Sequence, residues 1–484
     1  MNYKLVGRII SQILAFEAAF MLPSVILCLY DRDHKTASAF AVSICIILVI
    51  SSLGLILCRN AKKSFHAREG TVCVGLSWLL MSLLGALPFY LSGEIPSFID
   101  AFFETVSGFT TTGASVLPNV EALTRGCLYW RSFSHWVGGM GVLVFLLAIA
   151  PMDKGGGSTL HLLRAESPGP SVGKLVPRMK KTAKILYTLY IVLTVINVIF
   201  LLCGGMPLFD SVCTAFGTAG TGGFGTRADS IASFSPYIQI VCTVFMILFG
   251  INFNCFYLIM LRHFKDVFRN SELRLYIGVI ITSSVLITLD LLHSGLFETI
   301  SDAARHSTFQ VASIITTTGF ASTDFDMWPN LSKGILLCLM LIGACAGSTG
   351  GGIKCARVLL LFKSFTRSIR SAARPQRVQV MRLNGQVIDE TVLSATNVYL
   401  VAYVVIIVIS FLIVSVDGFS VTTNISAVAA CFNNVGPGFE KVGPMANYSQ
   451  FSIVSKITLI IDMLAGRLEI FPILTLLAKD TWKN

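Results

Sequence analysis

The stretch Asp100-Ala-Phe-Phe-Glu-Thr-Val-Ser-Gly-Phe-Thr-Thr-Thr-Gly113 decides how the chain is read, because it recurs 110 residues later as Asp210-Ser-Val-Cys-Thr-Ala-Phe-Gly-Thr-Ala-Gly-Thr-Gly-Gly223. Each copy sets a short polar turn (Thr110, Thr111, Thr112, Gly113; Gly220, Thr221, Gly222, Gly223) between two hydrophobic stretches. Two further turns extend the series: Thr316, Thr317, Thr318 and Gly319 after Ser307 to Ile315, and Asn433, Asn434, Val435 and Gly436 after Ser426 to Phe432. Each copy reads as span, short re-entrant helix, polar turn, span, with Asp100 and Asp210 expected as N-caps of the first two short helices. One such turn would be equally well explained as a loop, since Thr and Gly are common turn residues. Four in register argue for internal repetition.

With 54% hydrophobic and 13% charged residues among 484, against roughly 25% charged in soluble proteins, and a mean hydropathy of +0.74, the chain reads as an all-α polytopic membrane protein. Candidate spans are roughly 9 to 30, 37 to 58, 71 to 91, 128 to 150, 185 to 204, 237 to 261, 275 to 293, 332 to 361, 393 to 416 and 452 to 478. The first two carry no turn, which gives two N-terminal helices (1–68) outside four pseudo-symmetric repeats (69–165, 166–270, 271–385 and 386–484) around one central pore. The run after Arg8 is too long for a signal-peptide core, so an uncleaved first span is expected.

Lys and Arg collect in alternate connections: Arg59, Lys62, Lys63 and Arg68; Lys154, Arg164, Lys174, Arg178, Lys180, Lys181 and Lys184; Arg262, Lys265, Arg269 and Arg274; and Lys363, Arg367, Arg370, Arg374, Arg377 and Arg382. By the positive-inside rule these face the cytoplasm and the turn-bearing segments lie outside. Charge spread over short loops argues against nucleic acid as a partner. The 13 cysteines are odd in number and mostly lie in apolar stretches, so they read as small hydrophobes, and no Cys/His spacing suits a metal. No His-Glu-x-x-His motif occurs, and the in-span acids Asp462 and Glu469 lack a helix-spaced second pair, so an enzyme is not indicated.

Polar, non-helical backbone survives at membrane depth only when buried in protein or lining a watery path. Rings of backbone carbonyls can replace the water shell of a monovalent cation. Gly113, Gly223, Gly319 and Gly436 would form one such ring, and short helices ending at the turns would aim their negative C-terminal ends at it.

These residues resemble the TrkH/KtrB potassium transporters and, more distantly, the HKT and fungal Trk proteins. The resemblance rests on Thr-Thr-Thr-Gly-Ala (110–114), Gly-Thr-Gly-Gly-Phe (220–224), Thr-Thr-Thr-Gly-Phe (316–320), Asn-Asn-Val-Gly-Pro-Gly (433–438), Ala-Gly-Ser-Thr-Gly-Gly-Gly-Ile-Lys (346–354) and Gly-Arg-Leu-Glu-Ile-Phe-Pro (466–472). It covers nearly the whole chain, and the two leading spans point to the TrkH branch. It implies that the four glycines, with the other turn residues, form a potassium selectivity filter. Glycine at 113, where sodium-permeable HKT relatives carry Ser, favours potassium. The fourth turn lacks Thr and the second begins with Gly220, so the side chains are not four-fold symmetric.

The resemblance further implies that Ala346, Gly347, Ser348, Thr349, Gly350, Gly351, Gly352 and Lys354 belong to an intramembrane gating loop; a packing kink in one helix is the simpler reading of that glycine-rich break. It sets Arg467 below the filter as a charge shaping cation occupancy, while an ion pair with Asp462 or Glu469 is the alternative. Glu104 either adds negative potential or satisfies backbone donors. The implied whole is a potassium-conducting subunit in a bacterial plasma membrane, with K+ as cargo and no bound cofactor. It would be homodimeric and regulated by a cytosolic TrkA-like ring of nucleotide-binding domains, its basic loops serving as docking or lipid-anchoring surfaces. A sodium-permeable or H+- or Na+-coupled symporter is the other reading on the same scaffold.

Overall fold

The computed structural model describes residues 1–61, 67–141, 179–374, 380–384 and 386–482. The boundary expected near residue 165, and Lys62, Lys63, Lys154, Arg164, Lys174, Arg178 and Arg377, lie outside them. The fold is helical, with one small antiparallel hairpin pairing Arg382–Leu383 with Gln386–Val387. Six described helical stretches are long and apolar enough to cross a membrane: Tyr3–Tyr30, His34–Leu57, Arg68–Ser92, Lys184–Cys203, Ser271–His293 and Glu390–Asp417. A seventh is the pair Pro236–Phe249 and Phe253–Met260, bent by 88°.

Three of the expected spans are thus not single helices. The stretch 237–261 bends at Gly250 to Asn252. The stretch 332–361 is a helix Asn330–Leu341, a loop, and a second helix Cys355–Ala373. The stretch 452–478 breaks between Ile453–Arg467 and Phe471–Leu477, where Glu469 and Ile470 adopt positive φ. A window of mean hydropathy registers apolar length and is blind to such breaks. The expected span 128–150 begins as the helix Arg125–Gly139, and 142–150 lie outside the described residues.

Four short helices precede the four turns: Phe98–Phe109, Leu208–Gly220, Ile300–Ile315 and Val421–Phe432. Their N-caps are Ser97, Pro207, Thr299 and Ser420. Asp100 and Asp210 therefore stand at the third helical position rather than at the cap, as does Asp302. There a carboxylate meets the helix's free N–H groups and positive end. Thr299 shows the arrangement in full, accepting from Asp302 N at 3.1 Å while donating to its carboxylate at 2.7 Å.

Each short helix packs against the helices flanking it in sequence and against one from the preceding unit. Phe98–Phe109 touches Ile453–Arg467, Leu208–Gly220 touches Arg125–Gly139, Ile300–Ile315 touches Pro236–Phe249, and Val421–Phe432 touches Asn330–Leu341. The first short helix closes on the last long one, so the sequence order becomes a closed circuit. The two leading helices pack on each other and on Arg68–Ser92 and Arg125–Gly139, at the outside of that circuit.

Candidate ion pathway

The short helices end in one shared way. The second turn residue (Thr111, Thr221, Thr317, Asn434) has φ of 55, 53, 57 and 55°, and its N–H bonds three residues back, to Gly108, Thr218, Ile314 and Cys431. The third (Thr112, Gly222, Thr318, Val435) donates five residues back, to Ser107, Gly217, Ser313 and Ala430, at 2.8 to 2.9 Å. This is a Schellman cap, built on Thr and Asn where Gly is usual. Left-handed backbone in a residue with a Cβ costs roughly 1–2 kcal/mol, and such strain is retained where surrounding structure enforces it.

The fourth residue returns to positive φ: 80, 80, 82 and 96° at Gly113, Gly223, Gly319 and Gly436. Here glycine is required twice over. A Cβ on Gly113 would stand 2.1 Å from the carbonyl oxygen of Gly222; on Gly223, 2.0 Å from that of Thr318; on Gly319, 2.2 Å from that of Val435; on Gly436, 2.6 Å from that of Thr112. Each glycine thus faces the third carbonyl of the next turn, and the fourth faces the first. Four turns with different side chains share one backbone and abut in a ring.

Side chains fasten this ring from behind. Thr110 and Thr112 hydroxyls lie 2.7 Å apart, as do those of Thr316 and Thr318. Asn434 Nδ2 donates to Thr112 Oγ1 and to the Met463 carbonyl, both at 2.9 Å, joining the fourth turn to the first. Asn433 Oδ1 accepts from the Tyr403 hydroxyl at 2.9 Å. The glycines also line an open pocket with Ser115, Phe224, Arg227, Pro437 and Tyr448.

The glycine-rich segment expected as either a loop or a kink is a loop. Ile342 pairs with Ile353 in a parallel bridge that closes its neck. Its tip lies against the turns: Gly351 N donates to Thr317 Oγ1 at 2.6 Å, and a Cβ on Gly350 or Gly351 would meet the carbonyls of Thr316 or Asn433 at 2.9 or 2.6 Å. Thr349 Oγ1 donates to the Phe249 carbonyl at 3.3 Å, and Lys354 Nζ turns inward to the carbonyls of Gly350 and Gly351. Both ends of the loop hang on one carboxylate oxygen. Glu272 Oε1 accepts from Ala346 N at 2.6 Å and Ala356 N at 3.0 Å.

Arg467 ties this loop to the far side of the ring. It donates to the Thr349 carbonyl at 2.8 Å and to the carbonyls of Gly138 and Gly139. Neither expected acid is its counter-ion: Asp462 accepts from Ser410, and Glu469 pairs with Arg357, itself stacked on Tyr399. The chain matches the family model for TrkH cation transport proteins over residues 36–483.

The chain belongs to the TrkH family. It is 36% identical over 490 residues to the Trk system potassium uptake protein TrkH of Salmonella typhimurium and, equally, to that of Escherichia coli K12, with all of both chains covered in each case. The crystal structure of the potassium transporter TrkH from Vibrio parahaemolyticus superposes with a TM-score of 0.88 at 31% identity, again over the whole of both chains. Membership makes this a multi-pass membrane transporter and not an enzyme.

In this TrkH-family chain Glu104 sits beside the first turn, buried against Arg131 at 2.5 Å and accepting from Ser115 Oγ and Val116 N at 3.0 and 2.9 Å. Paired this closely, its charge is compensated by Arg131 and it satisfies a backbone donor. Among the described residues no group of three or more His, Cys, Asp and Glu could hold a metal, and all thirteen cysteines are free. Sequence reasoning missed Glu272 and Arg357, ionic residues near the ends of apolar segments whose partners lie more than seventy residues away in the chain.

Proposed function

We propose that the chain is the ion-conducting subunit of a Trk-type potassium uptake system. The carrying observation is the closed ring of turns, in which alternation of positive and negative φ recurs four times and each glycine abuts the next turn's carbonyl. Alternating handedness brings successive carbonyls to one side of a strand, so the ring supplies stacked oxygens suited to a dehydrated monovalent cation. The short helices end at the turns and add negative C-terminal potential. The residues 110–113, 220–223, 316–319 and 433–436 form the filter of four pseudo-symmetric repeats around one pore.

On this reading the loop 342–354 is the gate. Its tip contacts the third and fourth turns, and Arg467 pins it across the path, where a fixed positive charge limits how long a cation dwells. Flow is inward, down the electrochemical gradient, through a bacterial plasma membrane, with the basic connections on the cytoplasmic side. A cytosolic ring of nucleotide-binding domains acts on the gate, and two copies form a dimer. The names of the relatives, all potassium uptake proteins of Trk systems, support potassium as cargo.

Reversal potentials under opposed potassium and sodium test this reading. Native protein favours potassium, and Gly113→Ser loses that preference because its Cβ displaces the Gly222 carbonyl. An unchanged preference in Gly113→Ser would reduce the turns to ordinary loops.

A further inference from the structure

The second turn lacks what holds the other three. Turns one and three are braced by paired threonine hydroxyls, and turn four by Asn433 and Asn434. Turn two carries glycine at 220, 222 and 223, and its single hydroxyl, on Thr221, donates no farther than the Gly220 carbonyl at 2.6 Å. Glycine has the greatest backbone freedom of any residue, so beyond the cap hydrogen bonds this turn shares with the others its shape must come from elsewhere.

It comes from the helix Arg125–Gly139. His135, completely buried, lies where a side chain on Gly222 would be: a Cβ there would stand 1.9 Å from Nδ1 and 2.2 Å from Cγ. The backbone of His135 closes on the turn as well, its carbonyl 2.2 Å from the place of a Cβ on Gly220. The ring also packs on Phe224, the residue after the turn, at 4.2 Å between centroids. One helical turn earlier, Arg131 stacks on the same Phe224 at 3.6 Å and donates to the Gly225 carbonyl at 3.0 Å.

The other units show what this replaces. The equivalent helices have N-caps at Thr124, Ser235, Pro329 and Ser452. Eleven residues beyond each stand His135, Met246, Met340 and Met463, all fully buried. Each of these helices packs on the next unit's short helix, where the third turn residue is Gly222 for His135, Thr318 for Met246, Val435 for Met340 and Thr112 for Met463. By register, a flexible thioether goes with each turn that carries a side chain at its third position, and a rigid ring goes with the one glycine.

We propose that His135 is a specificity-determining positioning residue of the ion pathway: its imidazole fills the volume vacated at Gly222 and fixes the carbonyls of the second turn. The inference rests on the filter reading above. The test measures the potassium-to-sodium permeability ratio of the full-length protein in planar bilayers for His135→Met, Gly222→Thr, their double variant and Gly319→Ala. Gly222 is outside the left-handed region, so threonine fits its backbone.

Each single change at 135 or 222 lowers the ratio on the order of tenfold, the effect of one misplaced packing contact. The double variant, which carries the Met and Thr found at the corresponding positions of the neighbouring units, recovers to within roughly threefold of native. A double variant no better than the worse single, or a native ratio in His135→Met, overturns the proposal. If Gly222→Thr fails to fold, monodispersity and ratio regained together in the double variant support it, and misfolding of the double overturns it. Gly319→Ala separates the two levels: a native ratio there sinks the filter reading itself, whereas a lost ratio there beside a native one in His135→Met sinks only the role of His135.

Discussion

Replacing each ring glycine in turn by alanine converts the geometry into a ranked outcome. Ordinary contact begins at 3.4 Å, so the facing carbonyl must retreat by about 1.4 Å at Gly223, 1.3 Å at Gly113, 1.2 Å at Gly319 and 0.8 Å at Gly436. Every one of those carbonyls is backbone in a buried, closely packed ring, where a neighbour cannot rotate aside. Positive φ adds roughly 1–2 kcal/mol, which by itself shifts a turn away from its native conformer by about 5- to 30-fold. Bi-ionic reversal potentials of the four purified variants, read beside their thermal unfolding midpoints, give the ranking. Gly223→Ala, Gly113→Ala and Gly319→Ala lose potassium preference almost completely, and Gly436→Ala is the least damaged of the four. A native preference in any of the first three, or Gly436→Ala as the most damaged, would refute the reasoning.

Two other outcomes follow from contacts away from the ring. Glu272→Gln keeps the shape of the loop anchor but turns two charge-assisted hydrogen bonds into neutral ones, a loss of about 2 kcal/mol, so basal rubidium flux rises on the order of 30-fold while the potassium-to-sodium ratio stays native. Glu440, in the loop after the fourth turn, accepts from Ser420 and Thr423 at the cap of the fourth short helix, with Lys333 contributing, and is held below the ordinary value of 4.5. A carboxylate held low stabilises the fold above its unfolded value, and that contribution disappears as pH falls through the lower folded value. The acid-induced drop in melting temperature is therefore smaller in Glu440→Gln than in native protein, as scanning fluorimetry between pH 6 and pH 3 will measure.

Much of this architecture was legible in the chain because the turns carry their own punctuation. A Gly that must take positive φ after a short apolar segment is visible four times, and its surroundings repeat at a fixed distance between the first two copies. The caps were displaced by one turn, since Asp100 and Asp210 drew attention from Ser97 and Pro207, and an acid at the third position looks in sequence much like one at the cap. The breaks at Gly250 and at Leu468 to Ile470 were hidden by apolar composition, which satisfies a bent helix as well as a straight one, whereas the glycines of Ala346 to Lys354 made that break legible. Glu272 was hidden for another reason: its partners, Ala346 N and Ala356 N, are backbone groups more than seventy residues away, and no side-chain pattern records them. His135 looks like a lone core histidine until the four helix caps are aligned, when its position among Met246, Met340 and Met463 becomes plain.

The most direct measurement of the central claim is rubidium uptake into liposomes containing the purified chain alone, driven by an internal load of potassium in one set and of sodium in the other. Rubidium accumulates with internal potassium and little accumulates with internal sodium if the ring selects potassium. Equal accumulation in both sets would contradict a potassium-selective ring and leave a pore that passes sodium as readily.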